Sequence, residues 1–252
     1  MVGGLDPGGG AGLLRDVATA RSLGARAYAV GTAWTEQGPG VHRVEPRAPE
    51  AVRDALAAAL RSLRPAATKI GMAVGPTTAA ALIDGLTDYL GPVVVDPVLA
   101  TSRGGSLWAG RPRDLLPLLR RATLVTPNAP ETAALAEGSV ATVEEAVAAG
   151  RALVETEGLR AVLVKGGHLD PAATEATDVL VDARGATLIK HERAPGSSPR
   201  GTGCALATAI AVGLGRGQPV SQAVAEGIAW LAAAIGSATP TGDERHLPDA
   251  GR

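Results

Sequence analysis

The sequence predicts an α/β protein in which a central, mostly parallel sheet is covered by helices on both faces, giving three layers. Short apolar runs, such as residues 93–95 and 161–164, alternate with longer amphipathic segments through short connections. Continuous aliphatic runs of this kind are typical of strands buried on both faces. We find no internal repeat or break in composition, so we assign 1–238 to one domain and 239–252 to a polar C-terminal tail.

Each predicted strand is a short run of aliphatic or β-branched residues bounded by Gly, Pro or polar residues. Arg184-Gly185 is a turn signal and predicts a hairpin between the last two strands. Ahead of Gly4 there are only three residues, so the first strand is expected to be truncated. In chain order, the predicted strands span residues 27–33, 68–72, 92–96, 123–127, 161–167, 177–182 and 186–193.

Helices are predicted where apolar residues recur three and four positions apart, as at Val52, Leu56 and Leu60. Proline suits a first helical turn, so Pro76 and Pro130 indicate helix starts. In chain order, the predicted helices span about 11–23, 50–63, 76–90, 113–121, 130 onward, 144–157, 205–214 and 220–237.

Composition excludes several classes of protein. A net charge of −1 and 2% aromatic residues argue against a nucleic-acid surface and against a polybasic membrane patch. No apolar run reaches the roughly 20 residues that a membrane span needs. Cys204 is the only cysteine, which excludes an internal disulfide and a cysteine-based zinc site and indicates a reducing, cytoplasmic location.

Polar side chains follow the predicted strands at their carboxyl ends, where open α/β sheets bind ligands. Because parallel strands end at the same edge of a sheet, we expect these residues to share one site. They are Asp6, Thr35, Glu36, Gln37, Asp96, Asn128, Glu131, Lys165, His168 and Cys204, and the apolar Met72 follows a strand in the same way.

The segment Pro199-Arg200-Gly201-Thr202-Gly203-Cys204 predicts a tight turn that runs into an apolar helix. Backbone N–H groups at such a helix start have no intrahelical acceptors and, with the helix dipole, favour a bound phosphate. The same position is expected to lower the pKa of the Cys204 thiol. The alternative is a glycine turn that enters a buried helix, with Cys204 as a small apolar filler.

Together these groups suit phosphoryl transfer, which needs an anion cradle, a divalent cation, positioning charges and an acceptor hydroxyl. Residues 201–204 would hold the migrating phosphate, and Lys165 would pair with ATP phosphates. Asp96 and Glu131 carry oxygen ligands of the kind that Mg²⁺ prefers. Cys204 would accept the proton of the hydroxyl group.

Short motifs follow one another along residues 1 to about 237: Gly4-Leu5-Asp6-Pro7-Gly8-Gly9-Gly10-Ala11-Gly12, Asp16, Thr32-Ala33 with Gln37, Thr68-Lys69-Ile70-Gly71-Met72, Asp96-Pro97-Val98, Thr126-Pro127-Asn128 with Glu131, Lys165-Gly166-Gly167-His168, and Gly201-Thr202-Gly203-Cys204. In this order they resemble the hydroxymethylpyrimidine/phosphomethylpyrimidine kinases of thiamine biosynthesis, in the ribokinase superfamily. Each motif is weak alone, and the set is specific. Sugar kinases of the superfamily carry Asp where Cys204 stands.

The resemblance implies a ribokinase-like fold, ATP and Mg²⁺ as cofactors, a small pyrimidine as substrate and a homodimer. It implies that Gly4, Asp16, Gln37 and Met72 line the pyrimidine pocket, with Asp16 and Gln37 bonding the aminopyrimidine edge. By the same resemblance, the catalytic group is Lys165, Gly201, Thr202, Gly203 and Cys204. The nucleotide would be bound by Asn128, Glu131, Lys165 and Thr202, and the metal by Asp96 and Glu131.

The chain departs from the family pattern in several places besides its short first strand. Gly38-Pro39 replace the Asn-Thr that usually follows Gln37 in the family. The lysine that usually follows Asp96-Pro97-Val98 is missing, and Arg103 stands near its position. Arg200 replaces the usual His. These departures leave two alternatives open. One is a pyridoxal or pyridoxine kinase of the same branch, and the other is a non-catalytic pyrimidine-binding module.

Overall fold

The computed structural model describes residues 1–37, 41–101, 105–169, 174–193, 199–241 and 244–248. Helices and strands alternate over these residues. The helices are α1 (Gly12–Ser22), α2 (Pro49–Leu63), α3 (Pro76–Gly85), α4 (Leu116–Leu119), α5 (Ala129–Ala136), α6 (Val143–Glu155), α7 (Thr202–Gly215) and α8 (Val220–Gly236). The strands are β1 (Val2–Leu5), β2 (Val30–Gln37), β3 (Val41–Pro46), β4 (Thr68–Ile70), β5 (Val93–Val95), β6 (Leu124–Val125), β7 (Ala161–Val164), β8 (Glu175–Asp182), β9 (Gly185–Glu192), β10 (Thr239–Thr241) and β11 (Glu244–His246).

One nine-stranded sheet organises the described part of the chain, in the order β3-β2-β1-β4-β5-β6-β7-β8-β9. The six strands from β2 to β7 in this order are parallel, and β3, β8 and β9 are antiparallel additions at the edges. The chain winds outward from β1 to β2 and then crosses back to β4. The carboxyl ends of β1 and β4 therefore flank the switch point where α/β sheets bind ligands.

Two hydrophobic cores confirm the three-layer arrangement. Val93 and Val95 of β5 belong to the core that contains the buried side chains of α2 to α6. Val94, between them, belongs to the second core, with α7 and α8. The alternation follows from the pleat of a strand, which directs successive side chains to opposite faces. Over the described residues, none of the helices combines the length and apolarity that crossing a bilayer requires.

The first strand lies in the middle of the sheet despite its shortness. Val2 is aligned with Val30 of β2 and with Ile70 of β4. The Val2 carbonyl oxygen accepts a hydrogen bond from the Gly71 N–H at 2.8 Å, and the Met1 carbonyl oxygen accepts one from the Val30 N–H at 2.9 Å. All four residues of β1 are thus paired with β2, and Val2 is also paired with β4, so that β1 joins the two halves of the sheet.

Two edge features differ from the sequence expectation. β2 spans Val30–Gln37 rather than 27–33, because β1 begins at Val2 and gives it no earlier partner. The antiparallel strand β3, paired with β2, was not predicted, since its sequence of mixed charged and apolar residues carries little strand signal.

Two helices are shorter than expected. The helix predicted over 76–90 ends at Gly85, where the Thr87 hydroxyl donates to the Asp84 carbonyl oxygen at 2.8 Å in a closing turn. The helix predicted over 113–121 is a 3₁₀ turn followed by the four-residue α4. Pro117, at the start of α4, has no N–H to continue the preceding hydrogen-bond ladder.

The C-terminal segment is folded where the structure describes it. β10 and β11 form an antiparallel hairpin, and Leu247 is buried against Ala205 of α7 and Ala234 of α8. The sequence predicts a polar tail over 239–252, and residues 239–241 and 244–248 of this segment form the hairpin and its buried anchor. The polar composition of the segment gave no indication that Leu247 is buried and holds the hairpin against the domain.

Candidate active site

The glycine-rich loop after β1 is shaped by a single carboxylate. Asp6, which is 3% exposed, accepts hydrogen bonds from the Gly8 N–H at 3.0 Å and from the Ala11 N–H at 3.1 Å. Its second oxygen also lies 3.2 Å from the Arg200 guanidinium. Asp6 therefore folds this loop and ties it to the segment that precedes α7. Sequence reasoning named Asp6 only as a strand-end residue and missed this role.

Two glycines allow close backbone approaches, one between the loop and β1 and the other between the loop and the start of α7. Gly12 has φ +60°, and a Cβ there would collide with the Gly4 carbonyl oxygen. Gly201 has φ +73°, and a Cβ there would collide with the Gly10 carbonyl oxygen. Only glycine satisfies both the left-handed backbone and the close packing. The tight turn predicted at the start of α7 is thus present, and its close approach to the Gly10 carbonyl oxygen explains why residue 201 is glycine.

The start of α7 presents backbone donors, as predicted. Its N-cap is Gly201, no side chain caps it, and the first N–H that returns to the N-cap carbonyl is that of Ala205. The N–H groups of residues 202–204 consequently have no intrahelical acceptor. A Cβ on Gly203 would lie 3.1 Å from Lys165 Nζ and 3.6 Å from Asp96 Oδ2. These donors therefore adjoin a lysine and an aspartate.

Lys165 and Asp96 form a buried ion pair at the carboxyl ends of β7 and β5. Lys165 Nζ donates to Asp96 Oδ1 at 2.8 Å, and the Thr126 hydroxyl donates to the same oxygen at 3.1 Å. Burial opposes the charged form of Lys165, but Asp96 and Glu131 outweigh it and raise the lysine pKa. For Asp96, burial is likewise outweighed by the two lysines 165 and 69, which lower its pKa. Both shifts therefore favour the charged forms of the pair.

Asn128 and Glu131 form a reciprocal cap at the start of α5. The Asn128 N–H donates to Glu131 Oε2 at 2.8 Å, and the Glu131 N–H donates to Asn128 Oδ1 at 2.8 Å. Burial, reinforced by Asp96 and opposed by Lys165, raises the pKa of Glu131 to about 7. A carboxylate in this state would be stabilised by a cation beside it.

The residues fit a weakly coordinated magnesium ion. Over the described residues, no group of three His, Cys, Asp or Glu side chains could hold a metal by itself. Mg²⁺ commonly binds through one or two carboxylates together with substrate phosphates and water. Asp96 and Glu131 are two buried carboxylates close enough to influence each other's charge, beside the α7 donors. The donor set therefore suits an ion that arrives with a nucleotide.

Asp16, expected in the pyrimidine pocket, is engaged by neighbours inside the protein. Both of its oxygens accept from Lys69 Nζ, at 2.9 and 2.8 Å, and Thr208 donates to one of them at 3.0 Å. Asp16 is 0% exposed and Lys69 is 1% exposed. Burial opposes the lysine charge, but Asp16 outweighs it and raises the Lys69 pKa. Lys69 is the second residue that sequence reasoning missed, although lysines are rare in this chain.

Cys204 occupies the third position of α7, between the two ion pairs. Burial raises the pKa of the Cys204 thiol, while the charge of Lys69 and the Gly12 N–H act in the opposite direction. The expected fall in the Cys204 pKa is therefore wrong. A helix start favours a thiolate, but here the desolvation of the sulfur is the larger effect.

A small apolar cluster lies beside these groups. Met72 is buried with Ala33, Val74 and Leu107, and a Cβ on Gly4 would lie 2.7 Å from the Met72 sulfur. Gly4 and Met72, both predicted to line a pyrimidine pocket, are thus neighbours. Gln37 is the last residue of β2, and its side chain falls outside the described part of the structure. The substitutions at residues 38–39 and Arg103, and the His168 side chain, also lie outside it.

The structure thus gathers most of the predicted site residues around the start of α7. Lys165 and Asp96 are ion-paired beside Gly203, and Glu131 and Cys204 influence the charge of Lys165. Gly4 packs against Met72 and also lies beside Gly12, whose N–H is bonded to Cys204 of α7.

Comparison with known proteins gives a consistent relationship. The family model described as phosphomethylpyrimidine kinase matches residues 6–249. A hydroxymethylpyrimidine/phosphomethylpyrimidine kinase of Rhizobium meliloti (strain 1021) is 38% identical over 243 residues, which cover 94% of this chain and 90% of that protein. The crystal structure of phosphomethylpyrimidine kinase from Clostridium difficile 630 has a TM-score of 0.78 at 29% identity, covering 93% of this chain and 97% of that chain. Pyridoxal kinase from Staphylococcus aureus in complex with AMP-PCP has a TM-score of 0.86 at 25% identity, covering 98% and 92%.

Proposed function

The chain belongs to the phosphomethylpyrimidine kinase family, and from this premise we propose that it is an ATP-dependent kinase of 4-amino-5-hydroxymethyl-2-methylpyrimidine and of its monophosphate in thiamine biosynthesis. One observation carries the proposal. The Lys165–Asp96 ion pair adjoins Gly203 at the start of α7, one residue before Cys204. A positive charge and backbone donors thus converge beside the thiol that would accept the proton of the substrate hydroxyl, an arrangement that suits phosphoryl transfer.

On the nucleotide side, Lys165 and the N–H groups of residues 202–204 bind and orient the phosphates of ATP. Asn128 holds Glu131 through the reciprocal cap. Asp96 and Glu131 would hold Mg²⁺, which would supply positive charge beside the phosphates. A cation at this position would favour the ionised form of Glu131, whose pKa is otherwise raised.

On the acceptor side, Cys204 faces the hydroxyl group of the pyrimidine. The thiol accepts the hydroxyl proton only as a thiolate, and Lys69 and the Gly12 N–H are the groups that favour that form. Gly4 and Met72 would provide the apolar wall of the pyrimidine pocket, with Asp16 and Gln37 binding its polar edge. Asp16 would have to share its Lys69 hydrogen bonds with the substrate.

The proposal is tested by measuring ADP release from purified protein. Release is expected only when ATP, Mg²⁺ and the pyrimidine alcohol are all present. Lys165→Met keeps the length of the side chain but removes its charge, and should lower kcat by about 100-fold or more. Lys190→Met, at an exposed position on β9, is the matched control and should retain activity. Absence of turnover with the pyrimidine alcohol would contradict the proposal.

The likeness to the Staphylococcus aureus pyridoxal kinase supports a second candidate substrate, pyridoxal or pyridoxine. The same assay with these alcohols distinguishes the two. We expect a higher kcat/KM for the pyrimidine, and a clear preference for the vitamin B6 compounds would reverse the assignment. Binding of the pyrimidine without any affinity for ATP in calorimetry would instead indicate a non-catalytic module.

Assembly and location complete the proposal. The family resemblance supports a homodimer, which sedimentation of the purified chain would detect. A single cysteine supports a reducing, cytoplasmic location, which fractionation of the native cells would test.

A further inference from the structure

The loop that follows Lys165 is held by groups outside the site described above. The Gly166 N–H donates to Asp178 Oδ1 at 2.6 Å, and Asp178 on β8 is 4% exposed. A Cβ on Gly166 would collide with the Thr177 carbonyl oxygen, so this turn lies flat against β8. The Leu169 N–H closes the turn on the Gly166 carbonyl oxygen at 2.9 Å.

A second contact holds the same loop from β9. Arg193 donates to the carbonyl oxygens of Gly167 at 2.9 Å and of Leu169 at 2.6 Å. On the same side, His191 Nε2 lies 3.3 Å from Asp178 Oδ2, the oxygen that does not bind Gly166. His191 thus orients the Asp178 carboxylate through Oδ2, while Oδ1 accepts the hydrogen bond from the loop.

These contacts reach the nucleotide side of the site through one residue. Lys165 immediately precedes Gly166, and its own N–H donates to the Pro127 carbonyl oxygen at 2.8 Å. Its ammonium group lies against Asp96 and near Gly203. Any movement of the loop at Gly166 would shift the backbone that carries this ammonium group.

We propose that Asp178 and Arg193 are positioning residues that fix the 166–169 loop and thereby hold Lys165 in place for the phosphates of ATP. The inference rests on the proposed kinase function. It assigns a role to the β8–β9 hairpin, an antiparallel addition at the edge of the parallel sheet. The hairpin supports the nucleotide side of the site without touching substrate.

The kinetic test compares three variants on one strand. Asp178→Ala leaves the buried Gly166 N–H without its acceptor and should lower kcat/KM for ATP by about tenfold or more. The KM for the pyrimidine should stay within about twofold, because Lys165 serves the nucleotide side. Asp178→Asn keeps an acceptor oxygen and should recover most of the loss. Asp182→Ala, which removes an ion pair with Arg184 at the exposed turn, is the matched control.

Two measurements keep the proposal decidable. Arg193→Ala, at the end of the hairpin, should give the same ATP-selective loss even if Asp178→Ala fails to fold. Exchange of the Gly166 amide hydrogen, which needs no turnover, should accelerate about tenfold or more in Arg193→Ala and Asp178→Ala, but not in Asp182→Ala. Unchanged exchange, or equal losses for ATP and pyrimidine, would overturn the proposal. If the wild-type chain shows no kinase activity while the Gly166 amide still exchanges faster in the two variants than in the wild type, only the proposed function is contradicted.

Discussion

Cys204 carries a thiol whose pKa is set by two opposing environments. Burial raises it, while Lys69 and the Gly12 N–H lower it, and burial is the largest of these effects. We therefore expect alkylation of Cys204 by iodoacetamide to be slow at pH 7 and to increase through and beyond pH 9, because only the thiolate reacts. The rate of labelling across this pH range measures the effect.

The urea-unfolded chain is the control for this prediction, since it carries the same cysteine without burial. Its labelling should reach half of the maximal rate at a lower pH than that of the folded protein. Half-maximal labelling of the folded protein below pH 8 would contradict the raised pKa and restore the original expectation of a thiolate at a helix start.

The raised pKa of Glu131 predicts that the stability of the folded protein depends on pH. Its pKa in the folded protein is about 7, above the ordinary value of 4.5, so the folded state retains a proton that the unfolded state has lost. The free energy of unfolding should consequently fall as pH rises from about 4.5 to about 7 and remain lower above that. Glu131→Gln removes this loss and, by urea denaturation without nucleotide, should be the more stable variant at pH 8 by on the order of 2 kcal/mol.

Glu145 provides a matched control for Glu131, because it occupies the same third position of α6. It is exposed, and its pKa is lowered, mainly by the hydrogen bond from the Ala141 N–H. Glu145→Gln should therefore bring no gain in stability at high pH. A Glu131→Gln variant that behaves like Glu145→Gln at every pH would show that Glu131 is ionised in the free protein.

The sequence predicts which residues form the site better than it predicts their charge states. Asp96, Lys165 and Gly203 meet because parallel strands and the helix start share one edge of the sheet, which strand order and polarity already indicate. The Cys204 pKa was mispredicted because desolvation depends on packing by segments distant in sequence. Lys69 was overlooked as an ion-pair partner of Asp16 for the same reason, since the two are 53 residues apart.

At the scale of elements, the glycine loop and α7 form a single packed unit. Gly12→Ala combines a left-handed backbone with a collision against the Gly4 carbonyl oxygen, so it must displace the loop from β1. We expect it to lower the free energy of unfolding by more than 2 kcal/mol and to abolish most of the kinase activity. Urea denaturation and ADP release measure the two effects.

The variant Gly9→Ala separates the effect of a left-handed backbone from the effect of a steric collision at the Cβ. Gly9 has φ +69°, but a Cβ there would meet nothing within 4 Å. This variant should therefore lose only about 1–2 kcal/mol and retain more activity than Gly12→Ala. Equal losses in the two variants would mean that backbone strain alone, and not the close approach to Gly4, requires glycine in this loop.

The elements themselves were predicted to different extents. The central parallel strands and α2, α6, α7 and α8 follow from aliphatic runs and helical periodicity, which reflect burial directly. The edge strand β3 was missed, because it is held by pairing with β2 rather than by a hydrophobic pattern. The length of β1 could not be judged from the sequence, since the strand is stabilised by its pairing with β2 over four residues and with β4 at Val2.

At the scale of the whole molecule, the C-terminal segment is hydrogen-bonded to residues that are distant in sequence. The Arg245 carbonyl oxygen accepts from the Arg200 N–H at 3.3 Å, and the Pro248 carbonyl oxygen accepts from Arg15 at 3.3 Å. Arg200 leads directly into Gly201 and also binds Asp6 of the glycine loop. The last described residues of the chain are thus bonded to Arg15 of α1 and to Arg200, which connects the two glycine segments.

Leu247 anchors this segment and offers a test of its role. It is 3% exposed, so Leu247→Ala should lower the free energy of unfolding by about 2–4 kcal/mol through lost burial and a residual cavity. Leu90→Ala is the matched control, since Leu90 is 98% exposed and its truncation should change stability by less than about 0.5 kcal/mol. Because the segment also holds Arg200, kcat/KM should fall in Leu247→Ala under conditions where the chain remains folded. If Leu247→Ala loses stability but keeps its kcat/KM, the C-terminal segment contributes to folding and not to catalysis. If Leu247→Ala matches Leu90→Ala in both stability and kcat/KM, the segment does not pack against the domain as described.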